Sequence, residues 1–498
     1  MNKKIILVSV AVANSMLTIN ANILNQNQPN FVFIMLDDQS YDAIQSAGRY
    51  TFLDMPNIDR LEKEGVKFTN YFCAQSLCSP QRATLLTGVY PHIHGVTQNH
   101  PKIDPDWEKY PTFGSYLQKA GYQTAFIGKI HNALKKGKEA IRPGFDYWVS
   151  LPGQGVYLDP VININGVDTN CTGYVTDLLS DLTVKYIKNY KSVKPFSICL
   201  WHKAVHGPFT PAERHNDLYK NDTLPLPPYN TWNETFAGKP GWQIKRAIGR
   251  NSPEILPDSL PKKKWNSKNQ EQLRLLKALK AVDESVGEIY YALKETGKLD
   301  NTVIIYTSDN GYFMGDHTYG DKRLAYEASL RIPLIIRYPK VIKAGTTINQ
   351  LCSTIDVPVS ILDIAGIEKP VQMQGNSFLP LLMEKPVSWR KTLFYEYFRD
   401  LEYPYAGPTQ YAVRSERYKF VDGMTDGQIN ELYDLQRDPG EMVNQINNPD
   451  YAIVLKDLMT ESVRLKEYYQ FNPDPDWRIK MLLEDSGVKP KPSKVKNE

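Results

Sequence analysis

Phe31-Val32-Phe33-Ile34-Met35-Leu36-Asp37-Asp38-Gln39 decides how the rest of the chain is read. Its first six residues are an unbroken β-rich apolar run. That pattern predicts a strand buried on both faces, as in a parallel sheet covered by helices. Working outward, Asn57 to Glu64 reads as a helix stopped by Gly65, followed by a strand over Val66 to Phe72. Thr112 to Ala120 follows Pro111 as a second helix, ends at Gly121 and leads into a strand over Tyr122 to Ile127. Phe196 to Leu200, Thr302 to Thr307 and Pro333 to Arg337 are further strands. Between them, Leu275, Leu279, Val282, Val286, Ile289 and Leu293 recur at steps of four and three, which predicts a helix over Gln270 to Thr296. Strands alternating with helices imply an α/β fold, a large and mostly parallel sheet between helical layers.

The 498 residues exceed one ordinary compact domain. The net charge of +4 is spread along the chain, which excludes the concentrated basic patch of a nucleic-acid protein. Lys3 and Lys4, the apolar Ile5 to Val12 and the small Ala21 predict a signal peptide over residues 1–22, too short to span a bilayer. The chain is therefore expected to be exported, to a bacterial periplasm or beyond, without a membrane span. Residues 28–388 form the expected catalytic domain and 389–486 a smaller α+β unit. That unit comprises strands over Leu393 to Phe398, Gln410 to Arg414 and Tyr418 to Val421, and a helix over Ala452 to Tyr468. Phe209 to Lys264, rich in Pro, Asn and Trp, reads as an excursion from the sheet. Residues 487–498 read as a disordered Lys-rich tail. The five cysteines match no zinc spacing, and their pairing stays open.

Chemistry concentrates in Cys78-Ser79-Pro80-Gln81-Arg82, continued by Ala83 to Gly88. Pro80 suits the first turn of a helix, so Cys78 falls at a helix N-terminus, where free N–H groups favour an anion. Arg82, one turn on, reaches back over the same end. Alone, the segment equally fits a buried cysteine ahead of a helix. Two carboxyl-bearing pairs sharpen the choice. Asp37-Asp38 and Asp309-Asn310 each close a predicted strand, and adjacent carboxylates repel unless a hard cation neutralises them.

Cys-x-Pro-x-Arg followed by a short helix and Thr87-Gly88 resembles the formylglycine-dependent sulfatases, of alkaline phosphatase-like fold. The resemblance runs from about Asn30 to Val421. It implies that Cys78 is oxidised to formylglycine during export, by a formylglycine-generating or anaerobic maturating enzyme. A hydrate oxygen of that residue then attacks sulfur, with Arg82 steadying it. It further implies one calcium ion on Asp37, Asp38, Asp309, Asn310 and the modified Cys78. Gly128-Lys129-Ile130-His131 and His206-Gly207-Pro208 match the family's Gly-Lys-x-His and His-x-Pro, and Asp321-Lys322-Arg323 supplies Lys322. By resemblance Lys129 and Lys322 hold sulfate oxygens, His131 assists the second hydroxyl of the hydrate, and His206 or Lys322 protonates the leaving oxygen. Only His131 and His206, with Lys129, also gain from following predicted strands, where open α/β sheets bind ligands.

His317, in Gly315-Asp316-His317, stands where related sulfatases carry a substrate-touching His, with a loop-stabilising role as the other reading. Trp232, Trp242, Tyr403 and Tyr405, with Arg250, are candidate sugar contacts. The expected substrate is a sulfated saccharide, such as N-acetylglucosamine 6-sulfate or an algal ulvan-type sugar. A phosphoester or phosphonate monoester hydrolase on the same scaffold is one alternative, marked by paired metal sites. A non-catalytic anion-binding protein with unmodified Cys78 is the other.

Overall fold

The computed structural model describes residues 28–100, 102–132, 134–226, 269–400, 407–423 and 430–471. The expected signal peptide, the tail and most of the Phe209–Lys264 excursion lie outside them. So do Trp232, Trp242, Arg250, Tyr403 and Tyr405.

Ten strands form the main sheet. In chain order they are β1 (Asn30–Leu36), β2 (Val66–Phe68), β4 (Gln123–Lys129), β5 (Tyr147–Leu151), β6 (Val161–Ile164), β7 (Val167–Asn170), β8 (Phe196–Trp201), β9 (Thr302–Ser308), β10 (Leu334–Arg337) and β11 (Thr346–Ile348). Their spatial order is β11-β2-β10-β9-β1-β8-β4-β5-β6-β7. The central five, β9-β1-β8-β4-β5, are all parallel. β10 pairs antiparallel with β9, and β6 antiparallel with β5. The architecture is the mixed, mostly parallel sheet that the alternation predicts.

The apolar run of β1 explains its central place. Phe31, Phe33 and Met35 enter one core, with Leu85, Leu86, Phe113 and Leu117 of the helices Cys78–Thr87 and Phe113–Lys119. Val32, Ile34 and Leu36 enter the opposite core, against Leu275, Leu279 and Val282 of the helix Gln270–Glu295. Each such side chain stabilises by about 1.5–3 kcal/mol, as an upper bound.

The sequence expectation over Val66–Phe72 is corrected in one respect. The run divides at Thr69-Asn70, and β3 (Tyr71–Phe72) pairs with β12 (Cys352–Ser353) in a separate two-stranded ribbon. A third sheet follows in the order β13 (Thr392–Tyr397), β14 (Gln410–Ser415), β15 (Tyr418–Gly423), β16 (Glu431–Asp434), antiparallel throughout. Leu458 and Leu465 of the helix Ala452–Tyr468 share its core with Phe394, Val413 and Phe420.

Register positions the site. Leu36 pairs with Ser308, Met35 with Trp201, and Gly128 with Trp201. Asp37, Asp309, His202 and Lys129 therefore emerge together at the C-terminal edge of the parallel strands, where open α/β sheets place ligands.

Candidate active site

Gly128 explains how Lys129 reaches this edge. Its φ is +131°, and a Cβ there would sit 1.9 Å from the Trp201 carbonyl oxygen, so only glycine lets β4 close on β8. Lys129 is the last residue of β4 rather than a residue beyond it, as the sequence suggested. Asp38 and His131 both hold left-handed backbone, at φ 69° and 66°. Such conformations are uncommon outside glycine and cluster where surrounding structure over-determines them.

Cys78 opens a ten-residue helix that is buried from end to end. Its Sγ lies 3.2 Å from Asp37 Oδ1 and 3.0 Å from Lys322 Nζ. Arg82, four residues on, donates through Nε to Asp309 Oδ2 at 2.9 Å, and its Nη2 lies 3.2 Å from Asp37 Oδ2. Lys129 pairs closely with Asp37, and Lys322 with Asp38. Asn310 donates to Asp38 Oδ1 at 2.6 Å. His206 turns Nε2 toward Asp38 Oδ2, 3.8 Å away, while its Nδ1 lies 3.0 Å from the Gly207 carbonyl oxygen. The structure thus gathers Asp37, Asp38, Cys78, Arg82, Lys129, His206, Asp309, Asn310 and Lys322 into one contact network. His131 follows β4 beside it, and its Nδ1 is buried without a hydrogen-bond partner among the described residues.

His317 takes a neighbouring position. Its ring packs against Tyr326, with centroids 4.6 Å apart, and it lines a cavity of about 460 Å³ with Ser40, Tyr41, Tyr312 and Arg331. Residues that the sequence reading left without a role also reach the cluster. Gln154 accepts from Lys129 Nζ at 2.5 Å, and Lys203 lies buried next to His206. A polar residue in a glycine-rich loop gives no sequence signal for Gln154. For Lys203 the one available signal was its place two residues beyond a buried strand.

Crowded charge governs the site's electrostatics. Burial raises Asp38 to about 6, against the pull of Lys322 and with the push of Asp37 and Asp309. Burial likewise opposes ionisation of Asp37, but the Lys129, Arg82 and Lys322 cations overcome it and hold this carboxyl well below the usual range. Burial, then Asp37, push the Cys78 thiol up. Burial, then the Lys129 ammonium, hold both His131 and His206 neutral. Lys322 stays charged: burial opposes this, but Asp38 outweighs it.

One carboxylate oxygen from each of Asp37, Asp38 and Asp309 lies within 4.8 Å of the other two. The Asn310 side-chain oxygen beside them is buried and has no hydrogen-bond partner among the described residues. Three carboxylates and a waiting amide oxygen make an all-oxygen donor set, which suits a hard divalent cation such as calcium. The chain matches the Sulfatase family over residues 29–367 and the N-sulphoglucosamine sulphohydrolase C-terminal family over residues 315–468. It belongs to the sulfatase family. Sulfatases are sulfuric ester hydrolases, and the family generally uses calcium and formylglycine.

An N-acetylglucosamine-6-O-sulfatase of Bacteroides thetaiotaomicron is 33% identical over 92% of this chain and 89% of its own length. A solved structure, described as a complex with its substrate D-glucosamine-2-N,6-O-disulfate, superposes with a TM-score of 0.80 at 32% identity, covering 90% of this sulfatase and 99% of that chain. The phosphonate monoester hydrolase of Agrobacterium radiobacter superposes at 0.71 with 23% identity, over 89% and 96% of the two chains, a likeness of fold alone. Among the described residues of this sulfatase, no helix is long and apolar enough to cross a membrane.

Proposed function

We propose that this sulfatase removes sulfate from a sulfated saccharide, with N-acetylglucosamine 6-sulfate or a related glucosamine sulfate as the leading substrate. The observation that carries the substrate reading is the likeness, at 32–33% identity over nine-tenths of the chain, to an N-acetylglucosamine-6-O-sulfatase and to a structure holding a 6-O-sulfated glucosamine. The carboxylate cluster described above provides for one cation, which favours sulfate over the paired-metal chemistry of phosphate hydrolases.

In this reading Cys78 is the precursor of formylglycine, which supplies the attacking oxygen, and the thiol marks where that oxygen stands. Asp37, Asp38, Asp309 and Asn310 would hold calcium, which supplies Lewis acidity to the sulfate group. Arg82, fixed by Asp309 and Asp37, would steady the hydrate at residue 78 through its charge. Lys129 and Lys322 bring two ammonium groups to sulfate oxygens, where negative charge grows in the transition state. His131, neutral and with an unpartnered nitrogen, is suited to accept a proton at residue 78. His206 faces the cluster through Nε2 and is suited to exchange a proton with the leaving oxygen, with Lys322 as the other candidate. His317 would touch the sugar.

Export follows from residues 1–22, and maturation requires a formylglycine-generating or anaerobic maturating enzyme. Residues 28–388 form the catalytic domain in this reading and 389–486 the smaller one. The test is sulfate release by the matured protein from a panel of defined sulfated mono- and oligosaccharides. Release from 6-sulfated N-acetylglucosamine is expected. Release only from phosphonate or phosphate monoesters would overturn the reading.

A further inference from the structure

Lys203 is a buried cation of unusual surroundings. It is 2% exposed, two residues beyond β8, on a segment tied to the site by Asp37 N–H donating to the Ala204 carbonyl and Val205 N–H donating to that of Asp37. Its ammonium donates to the Gly207 carbonyl oxygen at 3.4 Å and lies 5.0 Å from the centre of the Tyr157 ring. Among the described residues no carboxylate is paired with it; Asp37 and Asp38 attract it from farther off, and a buried ammonium without a close counter-ion is costly. Burial, then the nearby Lys129, bring its pKa down to about 8. Such a group is retained against its own stability, and what it touches indicates why.

The Gly207 carbonyl that Lys203 engages is also the partner of His206 Nδ1, at 3.0 Å. A carbonyl has two lone pairs and only accepts, so Nδ1 must carry a proton, and Nε2 is the nitrogen left to face the cluster. Tyr157 closes the unit from the other side. Its hydroxyl donates to the His206 carbonyl oxygen at 2.6 Å, while its ring supports the Lys203 ammonium. Three side chains from two segments therefore converge on the backbone that sets the pose of one imidazole.

We propose that Lys203, braced by Tyr157, is a positioning residue that anchors the Gly207 carbonyl and so holds His206 with Nδ1–H turned inward and Nε2 aimed at the leaving oxygen. Lys203 does not touch the substrate; it acts through His206. The proposal rests on the reading of His206 given above.

The test compares Lys203→Met, close in volume but uncharged, with His206→Ala in the matured, calcium-loaded protein. Each is assayed on a sugar sulfate and on an activated aryl sulfate, whose leaving group needs little protonation. Lys203→Met is expected to lower kcat on the sugar sulfate by about 10- to 100-fold, as for a misplaced catalytic group, with KM little changed. The aryl sulfate should keep its rate within about twofold, following the general-acid logic of His206→Ala. Equal losses on both substrates, or wild-type rates on both, would overturn the proposal. Should Lys203→Met fail to fold, Tyr157→Phe carries the test, with a smaller loss of the same leaving-group dependence. Leaving-group dependence in His206→Ala but not in Lys203→Met rejects the positioning role and leaves the sulfatase reading standing. A wild-type protein that releases no sulfate from either substrate rejects both.

Discussion

The C-terminal edge of the parallel sheet and the junction between the helix Glu327–Leu330 and strands β14 and β15 both bury several charges, yet they are built to opposite ends. At the junction, Glu327 meets Lys419 at 3.1 Å and Arg414 at 3.2 Å, Glu441 pairs closely with Lys419, and the Glu327 N–H donates to Glu441 at 2.7 Å. Two carboxylates face two cations, and the network ties the helix Glu327–Leu330 to the small sheet. At the sheet edge, three carboxylates crowd within one cation's reach, the Asn310 oxygen and His131 Nδ1 lack hydrogen-bond partners among the described residues, and Asp38 and His131 hold left-handed backbone. Buried charge alone therefore does not mark a site. Nor does left-handed backbone, which Glu441 at the junction shares at φ 57°; three carboxylates crowded at strand ends within one cation's reach do.

Changes at the sheet edge should cost function, and changes at the junction should cost stability. The largest effect belongs to Cys78→Ala, which removes the attacking group and should abolish sulfate release while the far-UV circular dichroism and thermal midpoint stay near wild type. Residual turnover within tenfold of wild type would remove Cys78 from the chemistry. Asp38→Ala should lower bound calcium and activity together, because it withdraws a carboxylate from a hard-cation set. Its metal-free thermal midpoint should stay within a few degrees, since the loss to Lys322 is offset by relief of repulsion from Asp37 and Asp309. Metal analysis and calorimetry on one preparation check both halves.

At the junction, Lys419→Met leaves Glu327 and Glu441 facing each other in a buried place. It should destabilise the fold by about 3–5 kcal/mol in denaturant unfolding, with sulfate turnover per folded molecule retained. A smaller effect concerns pH. Burial, against the pull of Lys419 and with the push of Glu327, raises Glu441 to about 7. A carboxyl with a raised folded pKa holds its proton more tightly in the native state. Its contribution is full below about 4.5 and is lost as pH rises through about 7. Glu327, held near 2 because Arg414 and Lys419 outweigh burial, stays ionised across that window. Wild-type stability should thus fall between pH 5 and 8 relative to Glu441→Gln, whose profile should be flatter. Parallel profiles would place the titrating group elsewhere.

The sequence made most of the sheet edge legible because its parts had local cues, Lys322 excepted, which rested on the family resemblance alone. Continuous apolar runs foretold β1, β8 and β9, Asp37-Asp38 and Asp309-Asn310 marked the ends of β1 and β9, and Pro80 foretold the Cys78 helix. The helix Ala452–Tyr468 emerged with the predicted bounds. What escaped notice lacked local cues. β6 and β7 are short, polar at several positions and partly exposed, and β16 has only four residues, so none offered a sustained period. The break at Thr69-Asn70 is a tertiary choice between two sheets. Gln154, Tyr157 and Lys203 matter through what they touch across the fold, and a lysine's burial cannot be read from its neighbours in sequence. The junction network was invisible for the same reason.

The central claim is that residue 78, at the N-terminus of a buried helix and beside the carboxylate cluster, becomes the formylglycine that attacks sulfur. The direct measurement is the mass of the peptide containing Cys78, taken from active protein co-expressed with a maturating enzyme. A peptide carrying the aldehyde in place of the thiol, in a fraction that tracks specific activity from one preparation to the next, is the predicted result. Full activity in protein whose Cys78 remains an unmodified thiol would contradict it.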